Sequence, residues 1–281
     1  MRTIEQVRSP RSAFRCAALC ACLALAAAFR AGAVELRYPP GDLHGFPSMQ
    51  DESGALIADG ELTQRKHGSR LVVHATWRFR DGRVVVEDAV FALRPQLAQQ
   101  SFRFVESRGK TELRRFEVDF RSRKAYAQKL EGTEHKRWDD TLDLEPGKAF
   151  TGFGTALAVS QLRDSLAKKD AVAELTFVAF TPGPRTVTLE VSRRQGERVR
   201  AAGRELRADL YTLHPKIPFP ISIFVHPKDA RLWFSHGAPP ALLRAEQNLI
   251  EKDDPQILID VIPAGAALPS PAARRGPRPH R

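Results

Sequence analysis

Beyond Cys22 the chain contains no cysteine, because Cys16, Cys20 and Cys22 are the only three among 281 residues. A disulfide, a thiolate zinc centre and a cysteine nucleophile are therefore all excluded from the body of the protein. Catalytic patterns are missing as well. There is no G-x-S-x-G elbow for a serine nucleophile, and Ser160 falls inside a predicted helix. No pair of histidines has the H-E-x-x-H spacing of a hydrolytic zinc site. The glycines of "TGFGT" at 151–155 precede that helix, but without the lysine or the length of a phosphate loop. No pattern asks for a metal or a cofactor, and none of the regular aromatic–basic motifs of RNA readers occurs.

The three cysteines lie in a segment with an address-like pattern. Residues 1–15 carry Arg2, Arg8, Arg11 and Arg15 against Glu5, and Cys16 to Phe29 follow as fourteen apolar residues. Ala31-Gly32-Ala33 then supplies small residues, completing the pattern of a secretory signal peptide over 1–33 with cleavage between Ala33 and Val34. Fourteen residues rise about 21 Å as a helix, short of a hydrocarbon core of roughly 30 Å. The mature chain is thus expected to be cysteine-free and exported, either periplasmic or secreted.

Charge narrows the partners. The formal net charge is +11, yet the leader contributes +4 and the Pro/Ala/Arg tail 263–281 another +4. Between Val34 and Ile262 there are 35 basic and 32 acidic residues, so nucleic acid is not an expected partner. The tail has no apolar periodicity and reads as disordered, with attachment to an anionic membrane surface as its sharper reading. One local excess remains: Arg103 to Arg137 holds eleven basic and six acidic residues. It reads as the wet face of a sheet, with an anion-facing patch as the alternative.

Period-two alternation dominates residues 34–262, which read as one β-rich domain. In "RLVVHATWRF" Leu71, Val73, Ala75, Trp77 and Phe79 share a face, and Asp81-Gly82 marks the turn into "RVVVEDAVFAL". Strands are predicted at 102–106, 112–121 and 124–130, then at "AELTFVAF", "RTVTLEVSRR", "ELRADLYTL", "ISIFVHP", "RLWFSH" and "ALLRAEQNL". The periodicity changes once. Val159, Leu162 and Leu166 predict a helix over 155–167, with Thr155 as its N-cap and Arg163 on its wet face. The expected fold is mainly β: a large curved antiparallel sheet, or half-barrel, with one amphipathic helix packed on its concave face.

This order of elements resembles the bacterial lipoprotein-carrier (LolA/LolB-like) half-barrel. The stretches "TALAVSQLRDSL", "AELTFVAF" and "DARLWFSHGAPPALLRAEQNL" also resemble an uncharacterised family of exported bacterial proteins thought to share that fold. The resemblance implies a carrier that encloses acyl chains between sheet and helix, although fold alone does not decide function.

Candidate residues follow from the apolar faces. Trp77, Phe79, Phe116, Phe120, Leu162, Phe177 and Trp233 are the expected lining of a concavity for a lipid, a lipoprotein or another apolar ligand. The alternative is that they pack on the helix and on each other, leaving a structural or protein-interaction module, for an envelope protein as partner, with a filled core. A hydrolase using a histidine or a carboxylate is the second alternative. Its candidates are His74, His214, His226 and His236 near strands, and Asp139 and Asp140 beside Trp138, whose side chains a strand would send to opposite faces.

Overall fold

The computed structural model describes residues 32–201, 204–216 and 228–261. The leader with its cysteines, the strand predicted at 221–227 with His226, and the tail 263–281 lie outside the described residues.

Among the described residues, alternating faces build one sheet of sixteen strands. Its first part comprises β1 (Leu43–Gly45), β2 (Ser48–Asp51), β3 (Leu56–His67), β4 (Arg70–Phe79), β5 (Arg83–Ala92) and β6 (Ala98–Arg108). It continues through β7 (Thr111–Asp119), β8 (Lys124–Glu131), β9 (Glu134–Thr141) and the short β10 (Ala149–Phe150). After the helix α1 (Phe153–Gln161) come β11 (Val172–Phe180), β12 (Pro184–Ala201), β13 (Arg204–Lys216), β14 (Ala230–Ser235), β15 (Leu242–Asn248) and β16 (Gln256–Asp260).

Two meanders, β2 to β9 and β11 to β16, join where β16 pairs with β2, so the sheet runs from β10 at one end to β9 at the other. All neighbours are antiparallel except β10 and β11, which are parallel. The sheet is open and curved, and its first end is tucked inside the curve. Val178 and Phe180 stand on one face of β11, Leu175 and Phe177 on the other, as strand alternation requires. Phe180 stacks on Phe102 of β6 and on Phe116 of β7, at 6.1 and 4.7 Å between ring centroids.

Six strands escaped the apolar pattern: the short β1, β2 and β10, of two to four residues, and β3, β9 and β16. In β3 the alternation is broken at Gly60, where a Cβ would stand 2.6 Å from the Trp77 ring on β4. A side chain there would displace a core aromatic, so the position reads as a gap. In β9 nearly every residue is exposed, because this end strand has only one neighbour and needs no dry face. The five-residue β16 is too short to establish a period.

The helix also departs from expectation. It spans Phe153–Gln161 rather than 155–167, and Gly152 rather than Thr155 is its N-cap. Gly152 has φ 53°, a left-handed value that suits glycine, and a Cβ there would meet Phe102 and Glu87 at about 2.5 Å. The turn can therefore begin three residues early. Gln99 of β6 fixes the approach: its Oε1 accepts from Thr151 N–H (2.9 Å) and its Nε2 donates to Thr151 O (3.3 Å). At the other end Gln161 leaves the helix pattern to bind the N-terminal segment. Its Oε1 accepts from the N–H groups of Arg37 and Tyr38, at 3.0 and 2.7 Å. Leu162 becomes the half-buried C-cap rather than the centre of a buried stripe, while Ala158, Val159 and Leu166 are buried. Arg163 is partly covered too, donating to Gly237 O at 2.7 Å.

Candidate functional site

Trp77, Phe79, Phe116 and Phe120 are buried in the main core, with Leu162 and Phe177 packed against it half-buried. Trp77 lies on Gly60, Phe79 lies beneath the Arg83 guanidinium (4.4 Å), and Phe116 is clasped between Phe104 and Phe180. Trp233 is elsewhere. It belongs to a small second cluster with Val199, Leu206, Ala208 and Leu243, on the face opposite its buried neighbours Leu232 and Phe234. Sequence alternation could have separated it, since Leu232 and Phe234 are the apolar pair of that strand.

A carboxyl group also lies inside. Glu87 of β5 stands between Ala75 of β4 and Phe104 of β6 in the ladder, on the inward face, and its Oε1 accepts the Phe153 N–H at 2.7 Å. Burial pushes its pKa up to about 7, with Asp88 adding to the rise and the Phe153 N–H opposing it. In the sequence Glu87 is one charge between valines and an aspartate. Nothing there marks it as inward except its spacing of two from Val85 and Ala89.

A cleft of about 390 Å³ lies where the two ends of the sheet come together. Lys129 of β8 forms one wall, Thr181, Pro182 and Arg185 around the β11–β12 turn another, and Glu251 to Asp254 of the β15–β16 loop the third. Its floor is a buried charge network. Arg114 of β7 donates to Glu106, to Glu251 (3.1 Å) and to Asp254 (2.7 Å). Arg83 also reaches Glu106 (2.7 Å), and Lys129 pairs with Glu251. Burial works against the Arg114 charge, but Asp254 and Glu106 outweigh it and hold the guanidinium protonated above its ordinary range. This network closes the cleft's floor, leaving exposed Arg185, Lys252 and Asp253 at the rim. Lys129 further lies 5.5 Å from the Trp138 ring centroid.

These contacts also account for the basic excess between Arg103 and Arg137. Arg114 and Lys129 turn inward, while Arg103 bridges Glu117 (3.3 Å) and Asp88 (3.7 Å) across the outer face. Arg115 pairs with Glu112, and Arg137 donates to Gln128 at 3.0 Å. Much of this charge is consumed in cross-strand pairs, as on the wet face of a sheet.

The histidines are scattered. His74 faces Asp88 and His214 faces Asp229, both at 2.7 Å on exposed strand faces. His236 Nδ1 lies 3.1 Å from Asp209 Oδ1, within ion-pair distance but not aligned for a hydrogen bond. Asp209 is buried and is held by Arg193, whose Nη2 and Nε donate to Oδ2 at 2.6 and 3.2 Å. Beside them the Tyr211 hydroxyl is buried without a partner, and burial raises its pKa to about 12. Asp139 and Asp140 are exposed on β9. Among the described residues no group of three or more His, Cys, Asp or Glu side chains is placed to hold a metal ion. Val34, the residue expected to follow the cleavage point, is buried. Its N–H donates to Gly147 O (2.8 Å) and its carbonyl accepts from Leu97 N–H (3.2 Å).

No family model matches this chain, and no curated protein matches it. Among solved structures it is similar to the crystal structure of a β-barrel-like protein of a domain of unknown function, DUF1849, from Brucella abortus. The identity is 10%, the TM-score is 0.46, and the match covers 82% of this chain and 98% of that one. That likeness is one of outline only.

Proposed function

We propose that the protein is a non-enzymatic, exported envelope protein whose curved sheet is filled by its own side chains and which acts through its outer surface. The observation that carries this reading is Phe180. It comes from the tucked-in end of the sheet and occupies the space over Phe102 and Phe116 where an acyl chain would lie in a lipid carrier. The helix is fitted against the same inner face, with Gly154 set against Phe91 and Gln99. Resemblance to the lipoprotein-carrier fold argues for an interior ligand, but the packing of these rings favours the filled module. Export is supported by the basic, apolar, small-residue order of the leader.

Native mass spectrometry of the protein, expressed with its leader and purified, tests both parts. The expected mass is that of the chain beginning at Val34, with no adduct and no reaction with thiol reagents. A co-purifying lipid would overturn the filled core, and retained thiols would overturn cleavage of the leader.

A further inference from the structure

We infer that the ribbon formed by the distal parts of β12 and β13 is a docking surface for an anionic phospholipid bilayer. These are the two longest strands, and their neighbours stop short of them. β11 pairs with β12 only as far as Ser192, and β14 pairs with β13 only from Ala208 onward. Beyond those points, 198–201 and 204–207 pair only with each other.

The ribbon is basic. Residues 194–207 hold five arginines and two glutamates. Glu197 is taken by Arg194 (3.2 Å) and Glu205 by Arg198 (2.8 Å). Arg200, Arg204 and Arg207 are exposed and have no acidic partner among the described residues. At its base Gln195 Nε2 donates to Ala167 O (3.3 Å), which brings the exposed and likewise unpaired Lys168 and Lys169 alongside, with Asp170 as the one further acid.

The ribbon is also stiffened. Val199 faces Leu206 across it, and both pack with Ala208, Leu243 and Trp233 in the second apolar cluster. An isolated two-stranded ribbon is marginal in water, and this small core steadies the one that carries Arg200, Arg204 and Arg207. By alternation Arg198, Arg200 and Arg207 share the face turned away from it. Unpaired cations held on a projecting edge match a surface of dense negative charge. Phosphate headgroups are the anion that an exported envelope protein meets, so the inference rests on the proposed location and surface action.

Co-sedimentation of the full mature chain with phosphatidylcholine vesicles, with and without phosphatidylglycerol, is the test. Binding should require phosphatidylglycerol and weaken with salt. The triple change Arg200→Gln, Arg204→Gln, Arg207→Gln should lower partitioning at least about tenfold, and the three Arg→Lys replacements should keep it. A control matched in charge, Arg65→Gln, Arg70→Gln, Arg78→Gln, should lower it less than about twofold. No binding to anionic vesicles, or equal losses in the two glutamine triples, would overturn the inference. Binding to heparin or DNA without binding to vesicles would overturn it in favour of another polyanion. An interior lipid seen by mass spectrometry would refute the filled core and leave the vesicle result unaffected.

Discussion

Replacing Glu87 by glutamine tests whether a carboxyl group lies trapped between sheet and helix. Its ordinary pKa of 4.5 is pushed to about 7 in the folded chain, chiefly by burial. The folded state therefore binds a proton that the unfolded state has lost across that interval. Stability is expected to fall as pH rises from about 4.5 to about 7 and to level off above it. A rise from 4.5 to about 7 corresponds to roughly 3 kcal/mol. Glu87 is half-buried over the whole residue, so about 2–3 kcal/mol is the expected size. Glutamine keeps an oxygen to accept the Phe153 N–H and removes the charge. The variant should match the parent to within about 1 kcal/mol near pH 4 and exceed it by about 2–3 kcal/mol near pH 8. Urea denaturation of both proteins across this range is the assay, and the difference between them cancels the titration of the other carboxylates. Parallel pH profiles would refute the reasoning. So would a glutamine variant less stable at pH 8, since the ionised carboxylate would then be supporting the helix N-terminus.

Phe180→Ala should cost about 3–5 kcal/mol, because the ring is enclosed by Phe102 and Phe116; a loss below about 1 kcal/mol in the same denaturation assay would mean that β11 does not fill the curve. Asp209→Ala should cost about 3–5 kcal/mol, since Arg193 would be left charged with its side chain 5% exposed. The double change Arg193→Met, Asp209→Leu should recover most of that loss in thermal melting, and a double variant as weak as the single one would place the cost outside the ion pair.

The residues by themselves determined the class of fold. Leu71, Val73, Ala75, Trp77 and Phe79 against Arg70, His74, Thr76 and Arg78 leave few alternatives to a strand with one dry face, and the observed β4 has that burial pattern. The same logic found most other strands and the one helix among the described residues. It failed where a strand's reason for existing lies in its neighbour. Gly60 is empty because Trp77 fills its place, and β9 is polar because it is an end.

The site residues divide along the same line. That Trp77, Phe79, Phe116 and Phe120 point to the interior was legible, because direction along a strand is a local property with a period of two. Whether they surround a cavity or each other was not. That depended on how far the sheet curls and on β11 folding inside it, which brings Phe180 to residues about sixty to eighty positions earlier. The inward charges were hidden for a related reason. Glu87, Glu106, Arg114 and Glu251 look in the sequence like ordinary surface charges. Only the docking of the helix onto β5, and of the β15–β16 loop onto β6 to β8, provides the partners that let them be buried.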